Sequence, residues 1–300
     1  MIIFLLGATG VGKSEVGLEV ARSHPAFKGR AAILCLDAMQ VYRGADVGTG
    51  KPAAAERREI PHGGLDLAEI GERFDTAHYV RHALEFLREQ AAAGRRVIAV
   101  GGTGLYFRAL ARGLCEAPRG SEELRAELAT LPAPELRARL ARVDPGIIPH
   151  LDVENPRRLA RAIEVMETTG KSLRAWQAET TTPAIADFTG IWLQREKADL
   201  DARIKRRVAA MFAAGWEEEV RWLIAKVGEE KVRNFAAIGY RQVADLLAGK
   251  ISRAAACDKI VTATRQYAKR QLTWFRREPN LRKVMLSGAS PLSAILPNLF

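Results

Sequence analysis

Residues 1–21 read MIIFLLGATGVGKSEVGLEVA, and this stretch decides the fold. Met1 to Leu6 is an apolar run of the length of one buried strand. Gly7, Ala8, Thr9, Gly10, Val11, Gly12, Lys13 and Ser14 then follow G-x-x-x-x-G-K-[ST]. Val16, Val20 and Ala21 continue at helical spacing. Strand, glycine loop and helix are the context of a phosphate-binding loop. Glycine lets the chain curl so that successive N–H groups face one anion. The helix N-terminus adds its positive end, Lys13 a point charge, and Ser14 a hydroxyl suited to Mg²⁺.

Working outward, AAILCL at 31–36 is a second buried strand that ends at Asp37. The glycine-rich AMQVYRGADVGTGKP reads as a loop. An amphipathic helix spans 75–93, with Ala77, Val80, Ala83, Leu84 and Leu87 on one face and Gly94 as its stop. VIAV at 97–100 is a third strand, followed by Gly101-Gly102-Thr103-Gly104 and a helix from Leu105 to Arg112. Strands alternating with helices predict an α/β fold, a parallel sheet with helices on both faces. Residues 116–189 break this rhythm with short charged helical stretches and seven prolines. They read as a helical insertion, between a core made of 1–115 and 190–300. Ile191–Leu193 looks like a returning strand, residues 199–226 one long helix, and 283–287 a last strand.

The 300 residues carry 46 lysines and arginines against 35 acids, a net charge of +11. Such a surplus favours a polyanionic partner. It is dense between Ser252 and Lys283, where nine basic residues face two acidic ones and Tyr267, Trp274 and Phe275 are interleaved. Three scattered cysteines fit reduced thiols in the cytoplasm, and no stretch is long and apolar enough for a membrane span.

In parallel α/β sheets ligands collect beyond the carboxyl ends of the strands. The first loop, Asp37 and Thr103 should meet there. Asp37 reads as a general base or a partner of Mg²⁺, with a simple strand-end acid as the alternative. Thr103 reads as a substrate-orienting hydroxyl or an ordinary turn residue. Arg203 and Arg207, four apart on one helix face, would clamp a diphosphate if they reach the loop.

DAMQVYRGADVGTGKP, GGTGLYFRAL, NPRRLARAIEV, LDARIKRRVAAMFAAGWEEEV, AIGYRQ and TRQYAKRQLTWFR occur in this order. As an ordered set they resemble the bacterial tRNA dimethylallyltransferases. The resemblance covers Phe4 to Arg277. It implies a P-loop kinase-like fold whose loop, Gly7 to Ser14 with Arg203 and Arg207, binds dimethylallyl diphosphate with Mg²⁺ on Ser14. It implies a tRNA partner gripped at its anticodon stem-loop, a monomeric enzyme, and catalytic roles for Asp37, Thr103 and Lys13. By the same resemblance Asp37, Ala38, Met39, Gln40 and Thr103 contact the RNA. So do Arg125, the segment Arg157, Arg158, Leu159, Ala160 and Arg161, and the segment Ala237, Ile238, Gly239, Tyr240, Arg241 and Gln242. The chain departs from the family at Ala38, where serine is usual, and at Gly63, where histidine is. A P-loop small-molecule kinase would need no basic surplus. An NTPase switch would need an N-K-x-D stretch, which the sequence lacks.

Overall fold

The computed structural model describes residues 2–287; Met1 and residues 288–300 lie outside it. In chain order the elements begin with β1 (Ile2–Gly7), α1 (Lys13–Ser23), β2 (Ala31–Leu36), α2 (Ala54–Glu59), β3 (His62–Gly63), α3 (Thr76–Ala92), β4 (Arg96–Gly101) and α4 (Gly104–Arg112). Helices α5 (Glu122–Thr130), α6 (Ala133–Val143), α7 (Pro156–Thr169) and α8 (Leu173–Thr180) follow, with a 3-10 turn at Pro145–His150. The chain re-enters the sheet as β5 (Phe188–Gln194). It then runs through α9 (Lys197–Ala213), α10 (Trp216–Val227), α11 (Glu229–Asn234), α12 (Tyr240–Leu247) and α13 (Arg253–Phe275) to β6 (Arg282–Met285).

Six strands pair in the order β3-β2-β4-β1-β5-β6, all parallel. β1 sits between β4 and β5, with Leu5 opposite both Val100 and Ile191. Strands covered on both faces need apolar residues at every position, which is why β1 and β2 read as unbroken runs. Ile3, Phe4, Leu5 and Leu6 are fully buried. No helix among the described residues is long and apolar enough to cross a membrane.

The described residues form two compact units, one of 2–107 with 187–287 and one of 108–186. The first holds the sheet. The second is helical, with its own core of Leu128, Leu136, Leu140, Leu159, Ile163 and Val165.

One local expectation is corrected. The single helix expected over 199–226 is two. Leu200, Ile204, Val208, Phe212, Trp216 and Val220 keep a four-residue spacing across the join, so periodicity reads straight through it. The chain nevertheless turns at Gly215, whose φ of 91° is left-handed and open to glycine. The edge strand β3 has two residues, too few for any periodic signal. Gly63 within it lies under the Phe86 ring, where a Cβ would approach to 2.6 Å, so a larger residue there would have to displace the aromatic ring.

Candidate active site

β1 ends in the glycine loop, β2 in Asp37 and β4 in Gly101, so adjacent strands deliver all three to one edge of the sheet. A cavity of about 520 Å³ opens there, lined by Gly12, Lys13, Ser14, Asp37, Arg203 and Arg207 among others.

The glycine loop is held from behind by residues far away in sequence. Gly10 and Gly12 take left-handed φ values of 86° and 106°. The loop carbonyls point outward onto cations: Lys13 Nζ donates to Ala8 O (2.9 Å), Arg203 Nε to Gly10 O (2.9 Å) and Arg195 Nε to Val11 O (2.7 Å). Gln271 on α13 spans two loops. Its Oε1 accepts the Thr9 N–H (2.8 Å) and its Nε2 donates to Gly102 O (2.9 Å). Thr9 therefore spends its amide on protein, while the residue still lines the cavity. The Val11 N–H turns back to Ala8 O (3.2 Å), while Gly10, Gly12, Lys13 and Ser14 line the cavity beside the end of α1 where the dipole is positive.

The loop after β2 is just as fixed, although its composition reads as a loose turn. Glu219 accepts the N–H groups of Asp46 (2.8 Å), Val47 (2.5 Å) and Gly48 (3.1 Å), and also the Tyr240 hydroxyl (2.7 Å). Lys51, its side chain fully buried, bridges Asp46 and Asp66 at 2.7 and 2.6 Å. Arg207 Nη2 reaches Thr49 O (3.2 Å). At Gly50, whose φ is 65°, a Cβ would lie 2.2 Å from the same Nη2, so a side chain there would displace the Arg207 guanidinium.

Lys13, Asp37 and Arg207 are close enough to titrate against one another, and each keeps some access to the cavity. Burial dominates all three. It lowers Lys13 to about 8 despite the attraction of Asp37, with Arg207 pushing the same way. It raises Asp37 above the usual carboxylate range, opposed by the Met39 N–H, by Lys13 and by Arg207. It lowers Arg207, whose charge Asp37 supports. Asp37 Oδ1 accepts the Met39 N–H at 2.8 Å, and the Thr103 hydroxyl accepts the Ala38 N–H at 3.0 Å. That contact leaves the Thr103 proton available to a substrate. Tyr267 on α13 is also within electrostatic reach of Asp37, and burial pushes its hydroxyl up to about 12.

Ser14 stands exposed at the cavity, and together with Asp37 it offers oxygen donors of the kind a hard cation takes. The one thiol in the lining, Cys35, is pushed up to about 12 by burial and stays protonated. The donor set therefore fits Mg²⁺ better than a soft metal.

Several of the residues expected to contact RNA are engaged within the protein itself. Leu159 is fully buried in the core of the helical unit, and Ala237 and Tyr240 in the core of the other. Gly239 lies under Trp216. The Gln40 amide donates to the Thr49 and Gly50 carbonyls (3.3 and 3.0 Å) and closes its own loop. Arg161 donates to Ala117 O, Pro118 O and Glu164 (2.7, 3.1 and 2.9 Å), tying α7 to the preceding segment. Arg157, Arg158 and Arg241 remain exposed. Arg195, Gln271 and Glu219 were not singled out from the sequence. Each holds main-chain atoms at least 169 residues away, and no local pattern marks them.

The sequence profile of the IPP transferase family matches residues 40–278. The chain belongs to that family. A tRNA dimethylallyltransferase from Methylacidiphilum infernorum is 41% identical over 288 residues, covering 96% of this chain and 86% of that protein. The crystal structure of the Bacillus halodurans tRNA isopentenylpyrophosphate transferase is 30% identical with a TM-score of 0.70. It covers 99% of this chain and 94% of the other. A eukaryotic dimethylallyltransferase captured acting on tRNA shares the fold at 23% identity, with a TM-score of 0.81 over 98% of this chain and 75% of its own. The IPP transferase profile starts at Gln40, so the glycine loop and Asp37 lie outside it and stand on their geometry.

Proposed function

We infer that the protein transfers a dimethylallyl group from dimethylallyl diphosphate to the exocyclic amine of the adenosine next to the anticodon on its 3′ side in tRNA. The observation that carries this reading is a carboxylate, Asp37, set beside an anion cradle with its pKa raised. Loop amides, Lys13, Arg203 and Arg207 hold the diphosphate. Ser14, with Asp37 through water, would hold Mg²⁺, which adds positive charge to the leaving group when bound. The adenine amine attacks the allylic carbon bonded to oxygen, and the C–O bond breaks. Its electron pair leaves with diphosphate, whose growing charge the cradle stabilises. Asp37 accepts the proton lost by the amine, with the Thr103 hydroxyl orienting the reacting groups. The adenine leaves its stack to enter the cavity, at a cost of a few kcal/mol. In the helical unit, the exposed Arg158 meets an RNA phosphate.

Mass spectrometry tests this directly. After incubation of unmodified tRNA with protein, Mg²⁺ and dimethylallyl diphosphate, one adenosine beside the anticodon should gain a single five-carbon unit. Unchanged tRNA, or phosphoryl transfer from ATP to another acceptor, would overturn the assignment.

The basic surface makes a separate prediction. Each phosphate neutralised releases counterions and adds about 0.7 to 0.9 to the slope of log affinity against log salt. Arg158, exposed and 3.8 Å from Asp152, should contribute one such unit, so Arg158→Ala should lower the slope by about that much. Arg161→Ala should instead lower the melting temperature, because it takes the donor from the Ala117 and Pro118 carbonyls and from Glu164 Oε2, leaving Glu164 only the Gly120 N–H on its other oxygen. Anisotropy titrations over a salt series and thermal melts separate the two. Equal slopes for Arg158→Ala and the parent would remove that arginine from the interface.

A further inference from the structure

The helical unit contains a second cavity, of about 330 Å³, between α5, α6 and the first half of α7. Its floor is apolar: Leu128 and Leu136 are 2% and 1% exposed, and Leu131 closes one side. One wall is electrically balanced, since Arg161 and Glu164 pair at 2.9 Å. Arg125 and Arg157 also line it, and neither is balanced in the same way. Arg125 Nη1 is buried and has no hydrogen-bond partner. The rest of that guanidinium is poorly held: Nε lies 3.4 Å from Ser121 O, and Nη2 3.9 Å from Glu122. A desolvated donor without a partner is costly. A small rotation about its last torsions would bring it to an acceptor in the groove.

We propose that this groove receives one unstacked nucleobase of the bound tRNA, distinct from the base that is modified. The proposal rests on the reading of tRNA as substrate. An apolar floor takes a flat ring but gives a phosphate nothing to bond. Arg125 and Arg157 supply planar cations that stack on π-faces and donate to base carbonyls or ring nitrogens. The volume is at the low end for small-molecule pockets, about 300 Å³, and suits one ring system with little to spare. The net charge of +11 favours a nucleic acid over an apolar protein segment as the occupant.

The experiment uses the full chain and an anticodon stem-loop RNA in which each loop nucleotide in turn is made abasic. Ala160, half-buried in the groove wall, is changed to leucine to fill the space without altering charge. In the parent, one abasic position besides the modified adenosine should weaken binding about ten- to a hundredfold. Ala160→Leu should weaken the intact RNA by a similar factor, and that abasic position should then cost nothing more. Additive losses would overturn the proposal, as would undiminished RNA binding by Ala160→Leu. Arg125→Met keeps the bulk of the stem and removes the donors, so it serves as a second variant should leucine disturb packing. It should weaken the same contact, and Arg125→Lys should restore it only in part. Full rescue by lysine would mean a phosphate sits there instead. Prenylation of intact tRNA by the parent is the control: its absence counts against the assigned reaction, and its presence without a groove-dependent base counts against the groove alone.

Discussion

Asp37→Asn is expected to bind both substrates and to turn over at least about a hundredfold more slowly, within the range of roughly 10² to 10⁴ that general-base help supplies. Asparagine keeps the Oδ1 acceptor for the Met39 N–H, so the turn from Ala38 to Gln40 should survive. It cannot take a proton at neutral pH. It also removes the negative charge between Lys13 and Arg207, so diphosphate affinity should hold or rise. If Asp37 chiefly anchored the metal, affinity for the Mg²⁺–diphosphate complex would fall and excess Mg²⁺ would recover part of the rate. Single-turnover assays at saturating substrate decide the matter. A rate within a few fold of the parent would remove Asp37 from the chemistry.

Lys13→Met should lower kcat/KM for dimethylallyl diphosphate by about 10² to 10³, the range seen when one preorganised donor to a developing anion is deleted. Methionine keeps most of the stem and loses the charge with its bond to Ala8 O, while Arg195 and Arg203 still hold the Val11 and Gly10 carbonyls. The pH profile carries the same information. Burial lowers Lys13 to about 8, so its ammonium is lost as pH rises through that value and kcat/KM should fall on the alkaline side. Asp37 is raised, so its carboxylate is lost as pH falls through a value above the usual carboxylate range, giving the acid limb. Lys13→Met should lack the alkaline limb and Asp37→Asn the acid one. In Asp37→Asn the alkaline limb should also shift to lower pH, because Asp37 is what holds the lysine proton against burial. The titration of the substrate itself is common to all three proteins and cancels in the comparison. An alkaline limb that persists unchanged in Lys13→Met would assign it to another group.

Much of this site is written locally. Lys13, Ser14 and Asp37 lie at the ends of apolar runs, and the parallel register carries such ends to one edge whatever the intervening sequence. Arg203 and Arg207 had the right spacing, and only the packing of α9 could show that they reach Gly10 and Thr49. What the sequence conceals is the support behind the cradle. Gln271 and Glu219 act on main-chain atoms, so their targets have no side-chain signature and their distance along the chain leaves no periodicity. The same limit explains Leu159 and Tyr240. Both sit inside segments that resemble RNA-contacting ones, but the helical face that each presents is set by tertiary burial. Gly215 shows the reverse failure, in which a faultless apolar repeat hid a turn.

The bond from Thr9 to Gln271 also sets an order of assembly. These residues are 262 positions apart, so during synthesis the glycine motif leaves the ribosome long before the helix that closes it. Arg195 and Arg203 arrive in between, and the loop gains its rear contacts one after another. A nascent chain stopped short of α13 would carry every residue of the motif and still lack the side chain that ties Thr9 to Gly102. The contacts behind the loop are thus complete only once nearly all of the polypeptide exists.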